Sequence, residues 1–172
     1  MPEASYVLDS TAVIDLCLHF RTAAIRRKLL LLAQESCLKI PEGVARELKR
    51  KSDNANRIVK ALVAQCPDSL VQIARVPNLG EETARIERLH GEKIRVGTRQ
   101  YAGFWSTAHG KKAVDGQVVG TAKKLKCTLV SDDGAVRLAC MLENVPCIGW
   151  SEFARVVGLF TQLSLFGEAG KT

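Results

Sequence analysis

Tyr6-Val7-Leu8-Asp9-Ser10-Thr11-Ala12-Val13-Ile14 sets an apolar run, an acid and two hydroxyls ahead of a second apolar stretch. Tyr6 to Leu8 reads as a buried first strand. Thr11 to Phe20 follows as a helix, with Val13, Ile14, Leu16, Cys17 and Phe20 at helical spacing. Asp9 stands at the junction of the two. Near the other end of the chain, Cys127-Thr128-Leu129-Val130-Ser131 runs into Asp132-Asp133 in the same strand-then-acid order. In an alternating α/β chain, acids that end parallel strands can meet outside the carboxyl edge of the sheet. Several carboxylates in one place repel unless a cation holds them together. Such a cluster is a hard-metal site before it is anything else.

The pattern between these two ends supports the alternation. Ile25 to Gln34 continues as a second helix, and Leu38 to Ile40 is a short strand stopped by Pro41. Proline suits the first turn of a helix, so residues 42–51 follow as one, and Asn54 to Gln65 as another. Leu70 to Val76 reads as an extra strand and Glu81 to His90 as an exposed helix ended by Gly91. Residues 91–110 are glycine-bearing and irregular, and hold Tyr101, Phe104 and Trp105. Helix 113–125, strand 127–130, helix 134–143, strand 147–149 and helix 151–159 complete the chain. The expected fold is a three-layer α/β/α architecture with a central, mostly parallel sheet. Residues 1–159 form the expected domain, with 70–112 as an inserted or variable region, and 160–172 form a tail.

A chain of 172 residues fits one domain with a proper core, and 5% aromatic content makes that core mostly aliphatic. No apolar run reaches the roughly 18 residues of a membrane span, and no signal peptide opens the chain. Cys17, Cys37, Cys66, Cys127, Cys140 and Cys147 lack paired CxxC spacing. They read as reduced core residues of a cytoplasmic protein rather than as zinc ligands. The net charge of +7 suits a polyanionic partner for a protein built around acids. Arg46, Lys49 and Arg50 lie around Glu47, and Lys111 and Lys112 lie just before Asp115, placing candidate phosphate contacts beside the acids. Each basic run taken singly reads equally as a solvated helix face. His19, His90 and His109 show no metal-ligand spacing, and neither a P-loop nor a GxSxG elbow is present. Chemistry here therefore falls to the acids acting through a metal, with Mg²⁺ or Mn²⁺ the natural choice.

Four segments together resemble the PIN-domain nuclease family, of which the VapC-type toxins are members. They are Val7-Leu8-Asp9-Ser10-Thr11-Ala12-Val13-Ile14, Ile40-Pro41-Glu42-Gly43-Val44-Ala45-Arg46-Glu47-Leu48, Asp115-Gly116-Gln117-Val118-Val119-Gly120-Thr121-Ala122, and Leu129-Val130-Ser131-Asp132-Asp133. They cover about residues 5–150 in the family's order. The resemblance implies a metal-dependent nuclease cutting single-stranded RNA to leave a 5′-phosphate and a 3′-hydroxyl. It also implies an antitoxin or a second copy of the chain as partner.

The same resemblance assigns Asp9, Asp115, Asp133 and Glu47 as metal ligands and catalytic acids, with Asp132 as a further candidate. Asp9 can equally cap the helix that follows it. Glu47 can equally pair with Lys51 one helical turn on. Asp115 can be a first-turn acid favoured by the helix dipole, and Glu42 reads as one. Adjacent side chains on extended backbone point opposite ways, so Asp132 and Asp133 cannot both face the site without a turn. Ser10 and Thr11 either hold a metal-bound water or a phosphate oxygen, or cap the helix.

The tail carries Gln162-Leu163-Ser164-Leu165-Phe166, which resembles the segment by which bacterial proteins bind the replication sliding clamp. Gln162 would make polar contacts, while Leu163, Leu165 and Phe166 fill an apolar groove. Packing of the same residues back onto the domain is the alternative. A clamp-recruited nuclease acting on DNA or RNA, and a non-catalytic nucleic-acid-binding protein of the same fold, stand beside the first reading. A HAD-like phosphatase expects a second Asp where this chain has Thr11.

Overall fold

The computed structural model describes residues 4–51, 53–105 and 114–160. In chain order its elements are β1 (Tyr6–Leu8), α1 (Ser10–His19), α2 (Thr22–Gln34), β2 (Leu38–Pro41), α3 (Glu42–Lys51), α4 (Asp53–Gln65), β3 (Leu70–Val71), α5 (Leu79–His90), β4 (Lys93–Val96) and β5 (Arg99–Ala102). They continue as α6 (Asp115–Leu125), β6 (Thr128–Val130), α7 (Gly134–Leu142), β7 (Cys147–Ile148) and α8 (Trp150–Val156). Short 3-10 turns lie at Pro67–Ser69 and Ile73–Arg75.

Five strands pair in parallel in the order β3-β2-β1-β6-β7. The first strand is central and wholly buried because helices cover both faces of the sheet. Helices α1 to α4 pack on one another, with α8 against α1, while α5, α6 and α7 pack together. This is the three-layer α/β/α arrangement expected from the alternation of apolar runs. The core is aliphatic apart from a few aromatics, among them Phe104 and Phe153, and Tyr6 meets Phe153 edge-on at 5.1 Å. All six cysteines are buried or half-buried. Among the described residues, no helix is long and apolar enough to cross a membrane.

The chain leaves β1 toward β2 on one side and returns from β3 to β6 on the other. The strand order therefore reverses between β1 and β6. A crevice forms outside the carboxyl ends of the strands at such a switch point. Asp9 leaves β1 there, and its backbone N–H donates to Val130 O of β6 at 3.1 Å.

Two expectations are corrected. The strand read over Leu70 to Val76 pairs only at Leu70 and Val71, opposite Ile40 and Pro41. Pro41 has no N–H to extend the ladder, and the chain turns into a 3-10 segment at Ile73–Arg75. Within 91–110, the stretch read as irregular, Lys93–Val96 and Arg99–Ala102 form an antiparallel hairpin. Gly97, at φ +61°, opens its two-residue turn with Thr98. Gly-X between two short runs is a hairpin signal in its own right. Smaller shifts occur at helix ends: α8 stops at Val156, before Gly158 at φ +82°.

Candidate active site

Asp9 is the organising residue at the switch point, only 3% exposed. Its Oδ1 accepts the Ser10 backbone N–H at 2.7 Å. Its Oδ2 accepts the Thr11 hydroxyl at 3.1 Å and the Ser131 hydroxyl at 2.8 Å. Asp9 therefore caps α1 and faces the crevice at once. Burial pushes its carboxyl above the usual range, the hydroxyl and amide donors pull it back, and neighbouring Glu47 pushes it up again.

The other acids arrive from three further elements. Glu47, on α3, accepts the Ser10 hydroxyl at Oε2 at 2.7 Å, and its Oε1 pairs with the Lys51 ammonium one helical turn on. Asp133 follows β6 and accepts the Val136 N–H at 3.0 Å as the cap of α7, while its own N–H donates to Ser131 Oγ at 3.2 Å. Ser131 thus ties Asp9 to Asp133, and Ser10 ties Asp9 to Glu47.

Asp115 opens α6, a helix with no side-chain cap. No described donor bonds its carboxyl, which is pushed up to about 8 by burial and then by Asp9, Asp133 and Glu47, with Lys51 opposing. That repulsion places all four acids in one electrostatic neighbourhood. The four acids come from the ends of β1 and β6 and from α3 and α6, and Asp9, Glu47 and Asp133 are linked through Ser10 and Ser131.

Asp132 goes elsewhere. Its Oδ2 accepts the Trp150 N–H at 2.8 Å at the start of α8, and its Oδ1 lies 3.7 Å from Arg137 Nη1. A Cβ on Gly149 would stand 2.5 Å from Asp132 Oδ1, so glycine is what lets this carboxylate reach the α8 amide. The turn at Ser131 aims Asp133 and Asp132 apart. Glu42 accepts the Ile73 N–H at 3.0 Å and braces the segment after β3.

Two residues with no role assigned from sequence join this framework. One is Ser131, whose hydroxyl bridges acids of two strands. The other is Gln117, whose Oε1 accepts the Gly43 N–H at 3.1 Å. That amide lies in the first turn of α3, where helix donors lack internal partners. A Cβ on Gly43 would sit 2.3 Å from Gln117 Oε1. The contact fastens the helix bearing Glu47 to the helix bearing Asp115. Its pairing spans 74 residues, and nothing local announces it.

One of the acids, Glu47, shares its helix with basic side chains. Arg46, Lys49 and Arg50 are exposed on α3 beside Glu47. Lys111 and Lys112 lie outside the described residues, as do Gln162, Leu163, Leu165 and Phe166.

The donor set is all carboxylate and hydroxyl oxygen, which suits a hard cation. The unrelieved repulsion on Asp115 is what a cation would remove. Among the described residues, however, no three acidic, histidine or cysteine side chains stand close enough to form a ready-made cage. Glu47 and Asp133 are instead held on donors of the chain itself.

No protein-family profile matches this chain, and no curated protein sequence does. Among solved structures it is similar to FitAB bound to an IR36 DNA fragment, at 15% identity and a TM-score of 0.47, over 84% of this chain and 94% of that one. It is also similar to FitAcB from Neisseria gonorrhoeae, at 12% identity and a TM-score of 0.48, over 84% of this chain and 97% of that one.

Proposed function

We propose that this chain is a Mg²⁺- or Mn²⁺-dependent nuclease that hydrolyses phosphodiester bonds of single-stranded RNA, leaving a 5′-phosphate and a 3′-hydroxyl. The observation that carries the reading is the linking of Asp9 to Glu47 through Ser10 and to Asp133 through Ser131 at the switch point, with Asp115 pushed up by burial and then by these three acids. These four carboxylates would hold the cation. A bound divalent ion supplies a water of lowered pKa and neutralises charge building on the phosphate. The chain's own residues do the positioning. Ser131 holds Asp9 and Asp133 in register, Ser10 holds Glu47 against Asp9, and Gln117 joins α3 to α6. Arg46, Lys49 and Arg50 offer contacts to flanking phosphates.

A second reading is a nucleic-acid-binding protein without cleavage. The absence of a ready-made cage among the described residues favours it. The partners anticipated from sequence, an antitoxin, a second copy or a sliding clamp, belong to the proposal equally.

Labelled single-stranded RNA, single-stranded DNA and flap substrates incubated with Mg²⁺ or Mn²⁺ separate the two readings. Metal-dependent cutting is expected from the wild-type chain, falling about a thousandfold or more in Asp9→Asn; removing even an outer-shell partner of a metal site costs about 10–100-fold. Equal cutting by Asp9→Asn, or none by the folded wild-type chain with metal, would leave the binding reading in possession.

A further inference from the structure

Beyond the acids, the most distinctive surface among the described residues is the β4–β5 hairpin. It buries little: Ile94 is buried and Val96 half-buried, while Lys93, Arg95, Arg99, Gln100, Tyr101 and Ala102 are exposed. Two-stranded hairpins are marginal alone, and this one is held at its root. Gly103 N–H donates to Glu92 O at 3.1 Å, Phe104 N–H to His90 O at 3.1 Å, and Trp105 N–H to Gly91 O at 2.8 Å. Residues 93–102 contain three cations and no acid. None of the three cations forms an ion pair with a described residue. The register places Lys93 and Arg95 on one face and Arg99 on the other, beside the exposed ring of Tyr101.

The root joins α5 to the start of α6, the helix that Asp115 opens, and through His90 it also bonds Glu143 at 3.0 Å. A Cβ on Gly116, the residue after Asp115, would stand 2.3 Å from Glu87 Cγ. One helical turn past Glu87, a Cβ on Gly91 would stand 2.7 Å from Trp105 Cζ2. The start of α6, the end of α5 and the base of the hairpin are therefore in direct contact. The helix that carries Glu47, α3, also carries the exposed cations Arg46, Lys49 and Arg50. A polyanion is the partner that both basic segments suit.

We propose that the β4–β5 hairpin is a strand-binding arm, in which Lys93, Arg95 and Arg99 hold the phosphates of a single-stranded nucleic acid and Tyr101 stacks on a base as the strand crosses the site. This deepens the nuclease reading and rests on it for the direction of the strand. Binding by such an arm needs no chemistry, so the two can fail separately. A single strand is the occupant because the ribbon offers isolated cations and a ring, the elements of backbone-tracking single-strand sites. Cations on an open strand edge also deter pairing with another chain. That role alone would leave nucleic-acid affinity untouched.

The test is fluorescence anisotropy of the full chain with labelled oligouridylate and oligothymidylate, in EDTA, across a salt series. Lys93→Ala/Arg95→Ala/Arg99→Ala is compared with Arg26→Ala/Arg27→Ala/Lys60→Ala, which removes the same charge from exposed positions on α2 and α4. The hairpin variant should bind at least about tenfold more weakly, with a log–log salt slope shallower by about 2, at ~0.7 per phosphate contact on a single strand. The control should stay near wild type. Arg95→Glu alone, checked by its melting temperature, guards against a folding effect and should weaken binding in the same direction. The proposal is overturned if the hairpin variant loses no more affinity than the control, if it only aggregates, or if the wild type binds neither oligonucleotide. Loss of cleavage with hairpin-dependent binding intact would sink the nuclease reading and leave the arm standing.

Discussion

Acidic side chains gather at both ends of the sheet, and the two groups behave in opposite ways. At the carboxyl edge, Asp115 has no described donor and is pushed up to about 8 by burial and three other acids. Toward the amino edge, Glu143 closes α7. Burial pushes its carboxyl up too, but hydrogen bonds from Arg85, Lys123 and His90 outweigh it and bring it down to about 2. Arg85 Nη2 lies 2.5 Å from Glu143 Oε2 and 2.7 Å from Glu82 Oε1, and Lys123 Nζ lies 2.5 Å from Glu143 Oε2. Both groups contain buried acids in one small domain. One set is matched by cations of the chain and joins α5, α6 and α7. In the other, Lys51 pairs with Glu47 while no described cation pairs with Asp9, Asp115 or Asp133, which is how a site that must accept an external cation differs from a structural ion network.

Breaking the matched group should have the larger effect on stability. Glu143→Gln strips Arg85 and Lys123 of their shared partner. The expected loss is about 2–3 kcal/mol, below the ~3–5 kcal/mol for fully buried pairs because both cations are about one-third exposed. A melting temperature lower by roughly 5–10 °C would record it, with metal-dependent cleavage per folded molecule unchanged. An unchanged melting temperature would mean the network contributes little and the contrast is false.

Relieving the unmatched group should act in the opposite direction. The folded chain holds the Asp115 proton to about pH 8, whereas the unfolded chain releases it near the ordinary 3.8. The native state thus binds more protons across that window, and metal-free stability falls as pH rises through it. Asp115→Asn should remove this slope and raise the metal-free melting temperature at pH 8 by several degrees, while abolishing cleavage. Divalent metal should stabilise the wild type at that pH and leave the variant nearly indifferent. A wild-type melting temperature that is flat between pH 4 and pH 8 would contradict the repulsion.

The smallest effect sharpens the boundary of the site. Asp132 caps α8, so Asp132→Ala should cost about 1 kcal/mol of stability and leave cleavage within a few-fold of wild type. A loss matching that of Asp9→Asn would return Asp132 to the site.

How much of this was legible follows from where each signal lives. Asp9 and Asp133 end apolar runs, so their place at the carboxyl edge could be read locally. The resemblance already ranked Asp133 ahead of Asp132; what could not be read locally was the partner of Asp132, the Trp150 amide, which belongs to another element. The hairpin was missed because an irregular reading of 91–110 passed over Gly97-Thr98, a signal that was present. The Arg85–Glu143 network could not have been read at all, since its two ends are 58 residues apart.

By itself the sequence determined the alternation of strands and helices, the aliphatic core and the types of acid available, because apolar period and turn chemistry are written in neighbouring residues. Only the tertiary structure decided which acids face one another, which are matched by cations, and where the basic hairpin is rooted. The bonds that make those choices join distant parts of the chain: Ser131 to Asp9 spans 122 residues, Gln117 to Gly43 spans 74, and Ser10 to Glu47 spans 37. Their partners come within reach only once the sheet has closed its order around β1.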